Sequence, residues 1–318
     1  MPGKKFAVGI DLGGTSVKIG LVDLNGKIVK KLVKKSDSAM GPAAVLRQIK
    51  DGVHEITGDK IKISGIGIGA PGTVGIINGT VQDPPNFPGW GTVRIGSIIK
   101  KEFKCNVFVE NDANAAAIGE LIYGAGRQIK NFIMITLGTG VGGGIIIDRK
   151  IYRGESGGAG ELGHVTIDTL GHQCNCGSIG CIEAYIGNNY LIERVKRLLN
   201  ERTDSMLYKT IRGDFSLLTP KLIHTAAQAG DDFSQSVVID TGTKLGYALA
   251  SVVNVLDITT IILGGGISGF GKLLYSSVES SLIERVMKPF RSRIKIKQAK
   301  LRNDAGIKGA SALVHYKS

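Results

Sequence analysis

Lys5-Phe6-Ala7-Val8-Gly9-Ile10-Asp11-Leu12-Gly13-Gly14-Thr15-Ser16-Val17-Lys18 decides the fold, because Asn131-Phe132-Ile133-Met134-Ile135-Thr136-Leu137-Gly138-Thr139-Gly140-Val141 repeats its plan. Each run is an apolar strand that ends in a turn of Gly and Thr and comes back as a second strand. The first half continues with strands over Lys5–Asp11, Val17–Asp23 and Lys27–Lys34, the last two joined by the hairpin turn Asn25-Gly26. Helix Pro42–Ile56, strand Ile63–Ala70, helix Arg94–Phe103, strand Asn106–Glu110 and helix Ala113–Tyr123 follow. The second half opens with strand Asn131–Leu137 and its hairpin partner Gly143–Asp148. An insertion follows, then the long helix Ser234–Leu256, the buried strand Thr259–Leu263, helix Lys272–Arg285, strand Ile294–Gln298 and helix Ala305–His315. Such a duplication predicts two similar α/β domains, with ligands held where strand ends face a cleft. The expected division is a small domain, 1–118 plus 304–318, and a large domain, 119–303.

The 318 residues suffice for two domains with a substantial core, and 42% hydrophobic with 21% charged residues is the balance of a soluble globular chain. No apolar stretch is long enough to span a bilayer, and the charged N-terminus does not lead into a signal peptide. A cytoplasmic location without membrane contact is expected. A net charge of +13 raises the question of nucleic acid. The cations are scattered over several segments without interleaved aromatic residues, so a solvated lysine-rich surface is the expectation, and no nucleic-acid partner. The 46 glycines point to close approach of backbone to a ligand, above all phosphate.

The two Gly–Thr turns bare backbone N–H groups and add hydroxyl donors, which suits a polyphosphate. Asp11, at a strand end, suits a magnesium ion or its waters. Neither turn matches the Walker or dinucleotide patterns, and two hairpin loops from two facing domains favour ATP over a dinucleotide. A plain hairpin is the alternative for either turn alone. Gly264-Gly265-Gly266 leaves room for a flat base against backbone, or is simply a tight strand-to-helix turn. Glu110-Asn111-Asp112 sits between a strand end and a helix start. Helix capping explains that position as well as function does, but Asp112 could take a proton from a substrate hydroxyl.

The insertion holds three of the four cysteines. His164, Cys174, Cys176 and Cys181 are the donors of a closed Cys₃His zinc site. A chance cluster of buried thiols is the alternative. Glu161 and Glu183 flank this set, so a structural metal would brace two carboxylates and an imidazole around a polar pocket.

Taken in order, Asp11-Leu-Gly-Gly-Thr, Glu110-Asn-Asp-Ala-Asn, Leu137-Gly-Thr-Gly-Val-Gly-Gly-Gly, Glu161-Leu-Gly-His and Cys174-Asn-Cys-Gly-Ser-Ile-Gly-Cys-Ile-Glu resemble the ROK family of repressors, open reading frames and sugar kinases. The resemblance is closest to the bacterial ROK glucokinases. It implies a two-domain actin-like, hexokinase-like ATPase fold of duplicated ribonuclease-H-like domains with an inserted zinc-binding loop. It implies Asp112 as catalytic base, with Asn86, Asn111, Asp112, Glu161, His164 and Glu183 on the sugar. ATP and its phosphates would meet Asp11, Gly13, Gly14, Thr15, Lys18, Gly138, Thr139, Gly140, Gly265 and Gly266. Zinc would sit on His164, Cys174, Cys176 and Cys181. A homodimer is implied as well.

The expected activity is ATP- and Mg²⁺-dependent phosphorylation of glucose at its 6-hydroxyl, a step of glycolysis. N-acetylglucosamine and N-acetylmannosamine are the alternative substrates, and bulky Tyr185-Ile186 beside Glu183 is expected to disfavour their acetamido group. The alternative of another class is a sugar-responsive transcription repressor. It is disfavoured because the first strand begins too early for a helix-turn-helix before it.

Overall fold

The computed structural model describes residues 6–58 and 61–316. In chain order the elements are β1 Phe6–Leu12, β2 Ser16–Asp23, β3 Ile28–Lys35, α1 Pro42–Thr57, β4 Ile63–Ala70, β5 Thr73–Gly75, β6 Thr80–Gln82, β7 Thr92–Val93, α2 Ile95–Phe103, β8 Asn106–Asn111 and α3 Asp112–Tyr123. The second series is β9 Phe132–Leu137, β10 Val141–Ile147, β11 Lys150–Tyr152, α4 Glu183–Ile186, α5 Asn188–Leu199, α6 Met206–Ile211, α7 Pro220–Gln228, α8 Asp232–Leu256, β12 Thr260–Gly264, α9 Lys272–Arg285, β13 Lys295–Gln298 and α10 Ala305–Ala312. The expected strands and helices are present with ends within a few residues. Lys5, the expected start of the first strand, lies outside the described residues. Three short strands, β5 to β7, form a small sheet that the sequence pattern did not reveal, and β11 is also additional. Each has only two or three residues, too few to show a period.

The two main sheets have the same plan. One runs β3-β2-β1-β4-β8 and the other β11-β10-β9-β12-β13. In both, a hairpin meander precedes two parallel strands reached through helices. The duplication read from the sequence is therefore the architecture. By compactness the chain divides into one unit of Met1–Asn131, Gly144–Gly160 and Ala299–Ser318, and another of Phe132–Gly143 and Glu161–Gln298.

In the first unit, alternation along three strands separates two kinds of residue. Val8, Ile10, Ile19, Leu21, Ile66 and Ile68 are fully buried or nearly so, in one core with Val45, Ile49 and Val53 of α1 and Ile95 and Ile99 of α2. The residues between them are glycines. Gly20, Gly9 and Gly67 pair in register and form a row across β2, β1 and β4. Helix α10 lies directly on that row. A Cβ on Gly9 would fall 2.0 Å from the carbonyl oxygen of Ile307, and one on Gly67 would fall 1.8 Å from that of Ala310. On its other side Gly309 meets α3, where a Cβ would fall 2.1 Å from the Ala115 carbonyl oxygen. These four glycines thus serve close helix packing rather than ligand approach.

Glu120, fully buried near the end of α3, ties this layer together. Its carboxylate accepts from the N–H of Ala125 at 2.6 Å and from that of Leu301 at 2.8 Å. In the second unit β12 pairs in parallel with β9 and β13, and α8 packs along α9. No helix among the described residues is long and apolar enough to cross a membrane.

Gly67→Ala puts a methyl group into the backbone of α10, which cannot yield as a side-chain tip could. It is expected to cost about 2 kcal/mol or more in unfolding free energy, the range for overpacked cores, measured by urea titration of far-UV circular dichroism.

Candidate active site and metal centre

In the first unit the strand register gathers the acidic candidates at one end of the sheet. Asp11 pairs with Gly69, and Gly69 pairs with Glu110. Asn111 and Asp112 follow directly, at the junction of β8 and α3. Asn111 is the cap of α3: its Oδ1 accepts from the N–H groups of Ala113 at 2.9 Å and Asn114 at 3.2 Å. Capping therefore falls to Asn111, which keeps its amide N–H₂ for other partners. The exposed Asp112 carboxylate also accepts the Ala113 N–H through Oδ1, at 2.8 Å.

The sequence reading missed what holds this junction. Glu110 is 2% exposed and takes three partners. Its Oε2 meets Arg153 Nε at 2.9 Å, and its Oε1 accepts from the Asn111 N–H at 3.0 Å and Asn114 Nδ2 at 3.2 Å. A carboxylate inside a strand–helix boundary was the available signal. Arg153 carries no local motif.

The turn between β1 and β2 is closed by Gly13 N–H on the Ser16 carbonyl, 3.0 Å. Lys18 pairs with Asp11 at 2.9 Å, so these two candidates neutralise each other in the structure. Ser38 Oγ donates to the Gly14 carbonyl at 2.8 Å, and Ser36 Oγ donates to the same oxygen. Asn86 lies against this turn, its Cβ 2.8 Å from where a Gly14 side chain would begin. It has a left-handed backbone, φ 66°. The loop that carries it is anchored by buried Phe87 and Trp90, whose rings meet edge to face at 5.1 Å, and by Trp90 Nε1 donating to Val81 O at 3.1 Å. Asn86 and the Gly14 turn are thus one neighbourhood.

In the second unit the Gly138–Gly140 turn is bound to Glu183. Glu183 Oε2 accepts the Val141 N–H at 2.8 Å, and a Cβ on Gly140 would fall 2.3 Å from that oxygen. Gly138 has open space where a side chain would go. Gly265, at φ +84°, lies against the Leu137 backbone, where a Cβ would fall 2.2 Å from the carbonyl oxygen. Gly266 is exposed and open. The two Gly-rich turns of this unit therefore lie side by side.

His164, Cys174, Cys176 and Cys181 converge, with one donor atom from each lying within 4.8 Å of all the others. Cys176 Sγ and Cys181 Sγ are 3.7 Å apart, as are Cys174 Sγ and His164 Nδ1. The edge of a tetrahedron around an ion with zinc–sulfur bonds is ~3.8 Å, so the donor set fits such an ion. Burial pushes the Cys174 thiol up to about 12 and raises that of Cys181, whereas the Ser178 backbone N–H holds Cys176 below the ordinary thiol value. Only a cation among the sulfurs would make all three thiolates. His164 turns Nδ1 to the sulfurs and Nε2 toward Glu161, 3.9 Å away. A metal on Nδ1 would fix the proton on Nε2, leaving a donor outside the cluster.

Tyr185 does not stand as a wall beside Glu183. Its hydroxyl donates to Asp168 Oδ2 at 3.0 Å and accepts the His172 N–H at 3.2 Å, both in the segment between His164 and Cys174. Ile186 is fully buried. The Tyr185 hydroxyl is thus tied to residues 168 and 172.

Residues 7–317 match the ROK family. The chain belongs to the ROK family. It is 34% identical to a glucokinase from Thermotoga maritima, over 99% of this chain and 98% of that one. It is 31% identical to a xylose repressor from Caldicellulosiruptor bescii, over 96% of this chain and 77% of the repressor. The crystal structure of a ROK family glucokinase from Streptomyces griseus in complex with glucose and AMPPNP superposes with a TM-score of 0.85 at 32% identity, covering 97% of this chain and 98% of that one.

Tyr185→Phe removes the acceptor of the His172 N–H and the donor to Asp168. The variant is expected to lose about 1–3 kcal/mol, the penalty for polar groups left unpaired, and to show it as a lower thermal midpoint. Asp168→Asn in the same background should then cost little more, because the pair is already broken.

Proposed function

We propose that this protein is a glucokinase that moves the γ-phosphoryl group of ATP to the 6-hydroxyl of glucose. The observation that carries the reading is the full-length likeness to chains named glucokinase, together with an exposed Asp112 at the start of the helix that Asn111 caps. Asp112 orients the 6-hydroxyl and accepts its proton as transfer proceeds. In a loose transition state that proton leaves late, so placing the hydroxyl matters most. Asn111 offers its amide N–H₂ and Asn86 its amide to other hydroxyls. Glu161 and Glu183 accept from sugar hydroxyls, and His164 donates through Nε2. Gly13, Gly14 and Thr15, with Gly138, Thr139 and Gly140, supply N–H and hydroxyl donors to phosphate. Lys18 adds charge, and Gly265 and Gly266 give room to the base. Magnesium bound with ATP neutralises phosphate charge, and Asp11 would hold it, exchanging its pairing with Lys18 for the ion or its waters.

The His164, Cys174, Cys176 and Cys181 set would hold one structural zinc, which orders the loop and keeps His164 oriented. A homodimer in the cytoplasm completes the reading, as in the family resemblance.

A coupled ADP-release assay over glucose, N-acetylglucosamine, N-acetylmannosamine, fructose and allose tests the activity. Glucose is expected to lead in kcat/KM by at least about tenfold, which takes only ~1.4 kcal/mol of differential transition-state binding. An equal rate on an acetylated sugar would overturn the glucose assignment. Sugar-dependent fluorescence changes without ADP release from any sugar would instead favour a sugar-sensing regulator. Asp112→Asn keeps the size of the side chain and removes its charge; kcat is expected to fall at least about a hundredfold with glucose binding retained.

Metal analysis of protein purified without chelator is expected to give about one zinc per chain. Cys176→Ser should lower both zinc content and thermal midpoint. Folded, active protein devoid of zinc would refute the assignment.

A further inference from the structure

Within the second unit, a cavity of about 360 Å³ is lined by Thr259, Thr260, Ser292, Arg293 and Lys295. The strand register fixes its place. Thr260 pairs with Lys295 where β12 and β13 begin, and Gly264 pairs with Thr136 where β12 and β9 end. The cavity and the Gly138 and Gly265 turns therefore occupy opposite ends of the same parallel strands. At strand rise, β12 separates them by about 16 Å.

The five lining residues are all of types that can donate hydrogen bonds, two are cations and none is acidic. The neighbouring acid is Asp257, whose Oδ1 meets Arg293 Nη1 at 3.4 Å. Both side chains are more than half exposed, so this pair is a weak competitor for the guanidinium. The surrounding chain is strongly basic: between Glu284 and Asp304 it carries eight Lys or Arg and no Asp or Glu. Two of these cations are engaged elsewhere. Arg285 lies over the Tyr247 ring at 4.3 Å, and Arg291 donates to the carbonyls of Glu284 and Val286.

Edge protection explains part of this. β13 is the last strand of its sheet, and exposed lysines at 295 and 297 deter pairing with another chain. It does not explain why Thr259, Thr260, Ser292 and Arg293 gather around one hollow beside them. That combination is what a tetrahedral oxyanion needs: a fork, a point charge and neutral donors. The volume is that of a small-molecule site and too small for a polymer.

We propose that this cavity is a second ligand site, for a small phosphate monoester. It is separate from the Gly138 and Gly265 turns, and its occupant would bear on the start of the strand whose end is the Gly264–Gly266 turn. Such a site gives a phosphorylated metabolite a route to change nucleotide affinity without competing for it.

Isothermal titration of full-length protein, with saturating glucose and AMPPNP present, tests the proposal directly. Inorganic phosphate and glucose 6-phosphate are the two probes. Saturable binding of at least one, near one site per chain, is expected. The double variant Arg293→Ala, Lys295→Ala should weaken it at least about tenfold, whereas Lys297→Ala, on the same edge, should not. Melting curves for both variants should overlay the wild type, since these side chains are exposed. Equal affinity for the two probes identifies free phosphate as the ligand, and tighter glucose 6-phosphate identifies a sugar phosphate. Absence of saturable binding at millimolar concentration overturns the site. So does an equal loss in Lys297→Ala, which would reduce the effect to general surface charge. Because binding is read without turnover, either result stands apart from the outcome of the kinase assay.

Discussion

Backbone-to-backbone contact between α10 and the glycine row of β2, β1 and β4 is the constraint on which the first unit rests. Side chains of ordinary size at Gly20, Gly9 and Gly67 would hold the helix away from the sheet. Close seating brings the first turn of α10 up to Asp11, where a Cβ on Gly306 would fall 2.4 Å from the carboxyl carbon. It also brings Gly309 onto α3, the helix that begins at Asp112. The C-terminal helix therefore sets the positions of two acidic residues from distant parts of the chain. Glu120 secures the same joint through two backbone N–H groups. Loss of this seating would be felt first as misplacement of Asp11 and α3, and only then as loss of core.

The second unit solves a different problem. In the stretch 154–180, Cys174 is the one buried apolar side chain other than glycine, so hydrophobic packing alone cannot hold it. With the proposed zinc, convergence of His164 with three cysteines would supply one fixed point, and the Tyr185 hydroxyl on Asp168 and His172 supplies another. Backbone bonds such as Ile182 N–H to Val165 O, 2.9 Å, and Gly180 N–H to His172 O, 2.8 Å, close the loop between them. The outcome is that Glu161, His164 and Glu183 hang from a braced segment rather than a free one. Polar chemistry is carried on a scaffold that is itself polar, held by hydrogen bonds and, on the proposed reading, by a zinc ion.

Periodicity and turn chemistry made most of the architecture legible in the sequence. The repeat of strand, Gly–Thr turn and strand announced two like sheets, and the sheet orders agree. The Cys₃His spacing announced a cluster whose donors do converge. Other features lay outside local reach. The role of the glycines of β1, β2 and β4 was not legible, because sequence cannot tell a bare strip awaiting a helix from a bare loop awaiting phosphate. Arg153 pairs with Glu110 across a separation no local pattern encodes. Tyr185 read as bulk near a sugar because its direction depends on where residues 168–172 fold. Residues bearing local geometry could be foreseen, whereas residues whose meaning comes from a distant partner could not.

The hydrogen bond from Val141 N–H to Glu183 has a thermodynamic consequence on the proposed reading. One carboxylate serves both a turn that cradles phosphate and a sugar hydroxyl. A sugar that draws charge from Glu183 Oε2 weakens its hold on the turn and changes the donors offered to phosphate. Heterotropic linkage then follows: whatever factor the sugar imposes on nucleotide affinity, the nucleotide must impose on sugar affinity. On that reading, substrate synergy would be built into a single side chain. An enzyme so arranged would have a way to discount water as an acceptor, because water would make no demand on that carboxylate.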